Sequence, residues 1–418
     1  MSARMRRCYQ YTTISPAGKQ AGAPEETAMI PSLPKEATAV LDAIAAAGGR
    51  GYLVGGALRD LLRGARPDDW DFAASLSPQQ LLGLFEEARP VGGRFGTVQI
   101  PFGAGKSCEI TPCRTEEGYS DGRHPDKVVF VPDILQDLSR RDFTVNAMAF
   151  DGQVLLDPYG GQQDLQNRLL RCVGKPKQRF EEDALRVLRL FRLAAQLGFT
   201  AEWETYKAAC EAMDAIALLP RERVYAELHR TLLSGGAKVL GALIAKGGLT
   251  AYGLRFAPEL SPLQNVPPIL LHRMWALAAL CGADTDVLSE SLGLSEKFTR
   301  QMQACTRLYR AGPANDRIAL KQKLRYAELD YGPLAATFAA VSPAFAAEPA
   351  LYGTVLQKKE PYRLADLAVD GVMLRYEGIS GKKCGHVLHE LLSVVIKNPE
   401  MNRVQTLLAL AKGLGQLY

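Results

Sequence analysis

Three observations predict an α+β architecture. From about residue 50 to 160, short β-like runs alternate with turns: "GYLVGG", "WDFAAS", "GTVQIPFG", "SCEIT", "KVVFV" and "QVLLDPYGG". Beyond about 165 the apolar residues recur with a 3.6-residue period, and strand candidates become scarce. At 418 residues the chain exceeds what one hydrophobic core serves, so two to four domains are expected. The reading is a small mixed β-sheet with helices, followed by an all-helical remainder.

The elements follow in chain order. Residues 1–28 are rich in Ala, Gly, Pro and Thr and lack a period, so they are expected to be disordered, or to precede a true start at Met29. No apolar h-region follows their basic residues, which excludes a secretory signal. "MIPSLPKEATAVLDAIAAAGG" reads as a helix leading into the strand-rich part. "EEDALRVLRLFRLAAQLGF" reads as one helix stopped by Gly198, and "RERVYAELHRTLLSGG" as a second, ended by Gly235 and Gly236. "HRMWALAALCGA", "SEKFTRQMQACTRLYRA", "GKKCGHVLHELLSVVIKN" and "NRVQTLLALAKGL" continue the helical pattern.

Composition narrows the function classes. No apolar run reaches the roughly 18 residues that span a bilayer. The eight cysteines contain no C-x-x-C pair, and several sit in apolar helical contexts, which points to reduced thiols rather than disulfides or zinc. A net charge of +5 permits a nucleic-acid partner without requiring one.

The chemistry-bearing residues crowd the first half. In "LVGGALRDLLRGARPDDWDF" three aspartates surround one tryptophan. On an extended chain Asp69 and Asp71 face the same way, with Asp68 out of phase as a turn residue. Two carboxylates about 7 Å apart suit Mg²⁺, which takes one or two carboxylates plus water and phosphate oxygens. A solvated turn is the competing reading. Gly55 and Gly56 stand between a strand and a helix, where phosphate approaches backbone N–H groups, and Arg59 is read in the first turn of that helix. Glu109 interrupts an apolar strand in "SCEIT" and is the candidate third carboxylate.

Asp183 and Arg186, three apart on the predicted helix, are expected to be surface neighbours. Together they offer an acceptor and a donor. That pattern matches the N4 amino and N3 of cytosine, and equally the N6 amino and N1 of adenine. Uracil and guanine present the reverse pattern. Arg189 and Arg192 continue the spacing, but such a row drifts about 60° per step, so Arg192 falls on the far side from Asp183. Arg223 and Glu227, four apart, are read as a couple bracing this helix.

These segments resemble the polymerase-β-like nucleotidyltransferases. More narrowly, they resemble the bacterial class II group of tRNA CCA-adding enzymes and poly(A) polymerases. "LVGGALRDLLRGARPDDWDF" is similar to that group's first signature, "DLSRRDFTVNAMAF" to its second and "DPYGGQQDLQNRLLRCVG" to its third. "RFEEDALRVLRLFRLAAQLGF" and "RERVYAELHRTLL" resemble the fourth and fifth, in order, over residues 50–235.

The resemblance implies a template-independent tRNA nucleotidyltransferase that adds CCA from CTP and ATP, with Mg²⁺ on Asp69 and Asp71. It implies nucleotide contacts for Asp183, Arg186, Arg189 and Arg192 and for Arg141, with Asp142 and Asn146 as ribose-side or structural partners. It also implies a polymerase-β-like head over 29–172, a helical neck over 173–240, a body over 241–345 and a tRNA-binding tail over 346–418. A cytoplasmic monomer or homodimer that binds no DNA is expected. In CCA-adding relatives the loop at 114–130 moves when addition changes from C to A. Here "ITPCR" replaces the usual Thr-Thr-Phe-Arg, and His124 stands where Arg is common. A poly(A) polymerase, a partial CC- or A-adding enzyme and a non-catalytic RNA-binding protein are the alternatives.

Overall fold

The computed structural model describes residues 33–416 except 92, 104, 118–126 and 257–258. Residues 1–28, Met29 and His124 therefore lie outside the described residues. The chain divides into two compact units, Met1–Leu249 and Thr250–Tyr418. The α+β reading holds: strands and helices share the first unit, and the second is helical. Among the described residues no helix is long and apolar enough to cross a membrane.

The first unit is built on a seven-stranded mixed sheet of order β3-β4-β5-β2-β1-β8-β9. Its strands are β1 (Gly51–Val54), β2 (Asp71–Ala74), β3 (Arg89–Pro90), β4 (Val98–Pro101), β5 (Ser107–Pro112), β8 (Ala149–Phe150) and β9 (Leu155–Leu156). β1 and β2 run antiparallel, with Leu53 opposite Phe72, whereas β2 and β5 run parallel.

Period-two alternation gives the sheet two different faces. Leu53, Phe72, Ile110 and Val98 are buried on one face with Trp70, whose ring lies 5.0 Å from that of Phe102. Helix α1 (Lys35–Ala46) covers this core with Ala37, Val40, Leu41 and Ile44, the i, i+3, i+4, i+7 stripe of an amphipathic helix. The opposite face carries a smaller apolar patch around Tyr52, Val54, Ala73 and Cys113. Next to it lie the polar groups of the site.

Between β1 and β2 runs helix α2 (Gly55–Leu62). Arg59 is its fifth residue, so it belongs to the second turn rather than the first. A hairpin, β6 (Arg114–Glu117) with β7 (Lys127–Phe130), forms the stem of the predicted loop.

The long helix expected over 181–198 is interrupted. Helix α6 (Pro176–Glu182) ends, Asp183 turns extended at φ −149° and ψ 104°, and helix α7 (Leu185–Leu197) begins two residues later. Asp183 Oδ1 accepts the Leu185 N–H at 3.0 Å, satisfying an orphan donor of the new helix. Gly198 ends α7 in the left-handed region at φ 65°, as the sequence predicts. Helix α9 (Arg221–Leu233) packs along α7.

The second unit contains helices Leu270–Leu280, Glu296–Arg310, Tyr331–Val341 and Lys382–Lys397, among others. Trp275, Tyr309, Phe338 and Phe345 form a continuous aromatic cluster there, with ring centroids 4.7–5.5 Å apart.

Candidate active site

The aspartate knot takes its geometry from Trp70. Trp70 and Phe72 both enter the main core, so Asp71 between them is turned to the opposite side. The strand begins at Asp71, and Asp69 sits in the bend before it, so the two carboxylates do not share a strand as expected. Both nevertheless line one cavity. Asp68 is exposed in the same bend.

Glu109 is the register partner of Asp71 on the parallel strand β5, so the two side chains leave the sheet on the same face. Burial pushes the Asp71 carboxyl up; Arg141 opposes this and Asp69 adds to it. Burial also raises Glu109, helped by Asp71 and Asp69. Three carboxylates thus crowd one another. Among the described residues no three acidic, His or Cys side chains converge closely enough to cage a metal by themselves.

A cavity of about 460 Å³ opens beside Asp71, within the usual range for ligand sites. It gathers Gly55 and Gly56, Asp71, Arg141, Asp142, Asn146, Asp183, Arg186 and Arg189 from four separate stretches of chain. Gly55 takes φ +66°, and a Cβ there would meet Arg141 Nη1 at 3.3 Å and Asp71 Oδ2 at 3.7 Å. A side chain at this point would be strained and would intrude between the two groups.

Arg59 and Arg192 do not reach this cavity but line an adjoining one. Arg59 donates to Asn146 Oδ1 at 2.9 Å and to both carboxylate oxygens of Asp60. Arg192 donates to Glu227 and Gln196. A third cavity, lined by Phe180, Ala184, Leu218 and Leu219, is mainly apolar and contains none of the candidate residues.

The arginines are oriented by carboxylates. Asp137, the buried first residue of the second signature, accepts from Arg140 and from Arg141, the latter at 2.9 Å. Burial alone would raise Asp137, but Arg141 and Arg140 outweigh it and hold the carboxyl at about 2. Asp142 is likewise opposed by burial and held at about 2 by Arg189, Asn146 and the Phe143 N–H. Arg189 Nη2 lies 2.6 Å from Asp142.

Asp183 and Arg186 reach the same cavity without pairing to each other. Asp183 takes Arg223 as its partner, Nη2 to Oδ2 at 2.8 Å. Arg186 donates to Glu182 at 2.6 Å and to the carbonyls of Arg179 and Arg140. The expected Arg223–Glu227 couple is also divided, because Arg223 braces Asp183 while Glu227 holds Arg192. Reaching back along the chain from α9, each ties a different point of the α6–α7 region.

The sequence reading passed over Asp137 and Glu182. Both stood at a legible spacing: Asp137 precedes Arg140 and Arg141 by three and four residues, and Glu182 precedes Arg186 by four. It also passed over Arg114 and Glu116, which line the cavity from the hairpin stem. Glu116 accepts from Arg114 at 2.8 Å and from Arg140 at 3.0 Å.

The poly(A) polymerase head domain matches residues 51–171. A CCA-adding enzyme of Streptococcus suis is 36% identical over 311 residues, covering 70% of this chain and 76% of that protein. The crystal structure of the Bacillus stearothermophilus CCA-adding enzyme in complex with CTP superposes with a TM-score of 0.74 at 26% identity, covering 92% of this chain and 98% of that one. The Thermotoga maritima CCA-adding enzyme complexed with tRNA shares the fold at a TM-score of 0.65 and 18% identity, covering 93% of this chain and 97% of that one.

Proposed function

The chain belongs to the family of CCA-adding enzymes, and on that premise we propose that it completes the tRNA 3′ end with CCA from CTP and ATP, without a nucleic-acid template and with release of pyrophosphate. The observation that carries this reading is the cavity where Asp71, Arg141, Asp183 and Arg186 meet.

Asp183 and Arg186 select the base. A carboxylate has about four acceptor sites, and among the described residues Asp183 uses three of them, leaving Oδ2 able to take an amino hydrogen. Cytosine N4 and adenine N6 supply that hydrogen. Arg223 and Glu182 hold the two selecting groups before the nucleotide arrives, which limits the ordering cost of binding. A pyrimidine or purine of reversed polarity would leave buried groups unpaired, a mismatch worth roughly 10⁴-fold.

Gly55 and Gly56 allow the triphosphate to approach the start of α2, and Arg141 faces it from the second signature. Asp142 holds Arg189 at the floor, Asn146 ties that floor to Arg59, and Arg192 steadies α7 through Glu227. The 3′-hydroxyl of the acceptor attacks the α-phosphorus, the bond to pyrophosphate breaks, and the hydroxyl proton departs.

Asp69 and Asp71, with Glu109 alongside, fit Mg²⁺: their oxygens are hard donors, the negative charge of Asp69 weighs on Asp71 and Glu109, and their number leaves coordination positions for substrate oxygens. When bound there, two Mg²⁺ ions would activate the hydroxyl and neutralise charge on the phosphates.

Residues 29–172 are assigned as the head, 173–240 as the neck, 241–345 as the body and 346–418 as the tail. Body and tail hold the tRNA acceptor half by backbone and shape. The cytoplasm is the assigned compartment.

The test is incorporation. Purified protein with Mg²⁺ and labelled CTP or ATP is offered tRNA ending at the discriminator base, at C or at CC. Two C additions followed by one A are expected. Long A tracts would assign a poly(A) polymerase instead, and incorporation of C alone or A alone a partial enzyme.

A further inference from the structure

The nucleotide cavity has a neighbour of about 450 Å³ in the same unit. The two share Gly56, Asp71, Asn146 and Arg189. The base-selecting Asp183 and Arg186 line only the first, whereas Asp69 and Arg230 line only the second.

A transfer reaction joins two substrates, and their reacting atoms meet where their sites meet. Asp71 stands at that boundary. Resting on the reading that the first cavity takes the nucleotide, the second is left for the RNA strand that accepts it.

The charges of the second cavity support this division. Asp68, Asp69 and Asp71 enter it from the sheet side, and Arg192 and Arg230 from helices α7 and α9. Most of its arginines already have carboxylates: Arg59 and Arg63 share Asp60, Arg189 has Asp142, and Arg192 has Glu227. Arg230 is exposed and makes no side-chain hydrogen bond or ion pair with the described residues. Its charge is therefore available to an outside anion.

An RNA 3′ end matches this polarity. Its terminal hydroxyls are neutral, and its nearest phosphate lies one nucleotide back. Hydroxyls are tolerated beside carboxylates, whereas a phosphate needs the arginine side. Leu193 and Leu197 add an apolar wall against which a ribose or base edge packs.

We propose that the second cavity receives the 3′-terminal nucleotide of the acceptor strand and that Arg230 binds its phosphate. Arg230 is thus a binding residue for the acceptor and has no part in selecting the incoming base.

The experiment compares the full chain with R230A and R230K. Binding of a tRNA ending in CC is followed by fluorescence anisotropy over a range of salt. In the same preparations, KM is measured separately for acceptor and nucleotide.

R230A is expected to weaken acceptor binding about tenfold, the size of one charged hydrogen bond. It should also reduce the slope of log affinity against log salt by about 0.7, one single-strand phosphate contact. The nucleotide KM should stay within about twofold, and R230K should recover much of the loss because it keeps the charge. Unchanged acceptor affinity and slope would overturn the assignment. So would a rise in nucleotide KM that matches the rise for acceptor, which would put the triphosphate in this cavity. A wild-type protein that binds acceptor but incorporates nothing sinks the functional reading alone, because the anisotropy comparison still decides the role of Arg230.

Discussion

Charge is handled in opposite ways in the core of the second unit and beside the cavity of the first. In the second, Glu348 is fully buried and each oxygen is engaged. Oε1 accepts the Ala314 N–H at 2.7 Å and Lys323 Nζ at 2.8 Å, and Oε2 accepts the Tyr331 hydroxyl. Lys323 also donates to the Gly312 carbonyl and lies 4.7 Å from the Phe345 ring centroid. Lys321 and Glu360 form a second buried pair at 2.8 Å. In the first unit, Asp71 lines an open cavity, where burial and Asp69 raise its carboxyl, and Glu109, its neighbour on β5, is raised by desolvation, Asp71 and Asp69. A network that closes on itself fixes a fold. A cluster held short of neutrality stores an affinity for something the chain does not contain.

The largest effect is expected at Asp71. D71N keeps the side-chain shape and removes one charge. Nucleotide transfer should fall by roughly 10²–10³-fold, the scale seen when a preorganised electrostatic group is lost. The sign for stability is the reverse. Because Asp71 is raised in the folded state, its charged form opposes folding at neutral pH, so D71N without divalent metal should melt at the same temperature or higher. Incorporation assays and calorimetry on the same preparations read both. A D71N protein that is active, or that melts well below wild type, would put Asp71 among the structural charges.

E348Q should show the mirror image. It leaves Lys323 buried beside a neutral group, and removing one partner of a buried pair costs about 3 kcal/mol or more. Burial already lowers the Lys323 ammonium, opposed by Glu348, so loss of that carboxylate lowers it further. Thermal unfolding should shift down by several degrees, while CTP turnover per folded molecule below the transition stays near wild type. A stable E348Q would mean that the network is dispensable.

This division was only partly legible in the sequence. The strands, the Gly198 stop and the aspartates beside Trp70 could all be read because each is set by neighbours in the chain. The break at Asp183 could not. "EEDALRV" contains no Gly or Pro, so local propensity reads straight through it. At the interruption the Asp183 carboxylate accepts from Arg223, which reaches it from helix α9, a partner that no local pattern announces. The partners of Asp183 and Arg186 were misread for the same reason: i, i+3 spacing assumes a continuous helix, and the helix is not continuous. Arg59 was placed one turn early because the helix starts at Gly55 itself. Charges whose partners are distant in sequence are invisible to spacing, and Asp142 with Arg189, Asp183 with Arg223 and Glu116 with Arg140 are of that kind.

Asp142 shows the smallest of these effects and tests whether closed pairs in the first unit behave like those of the second. It is buried, accepts from Arg189, Asn146 and the Phe143 N–H, and its carboxyl sits at about 2. An unfolded aspartate titrates near 3.9. The folded value is depressed, so the stabilisation is complete above about pH 4 and is lost as pH falls through about 2. The shift corresponds to about 2–3 kcal/mol. Urea midpoints of wild type and D142N across this range isolate the contribution, because the remaining carboxylates are common to both proteins. The gap should be widest at neutral pH and close toward pH 2. A gap independent of pH would assign the effect of the substitution to packing around Asn146 rather than to the charge that holds Arg189.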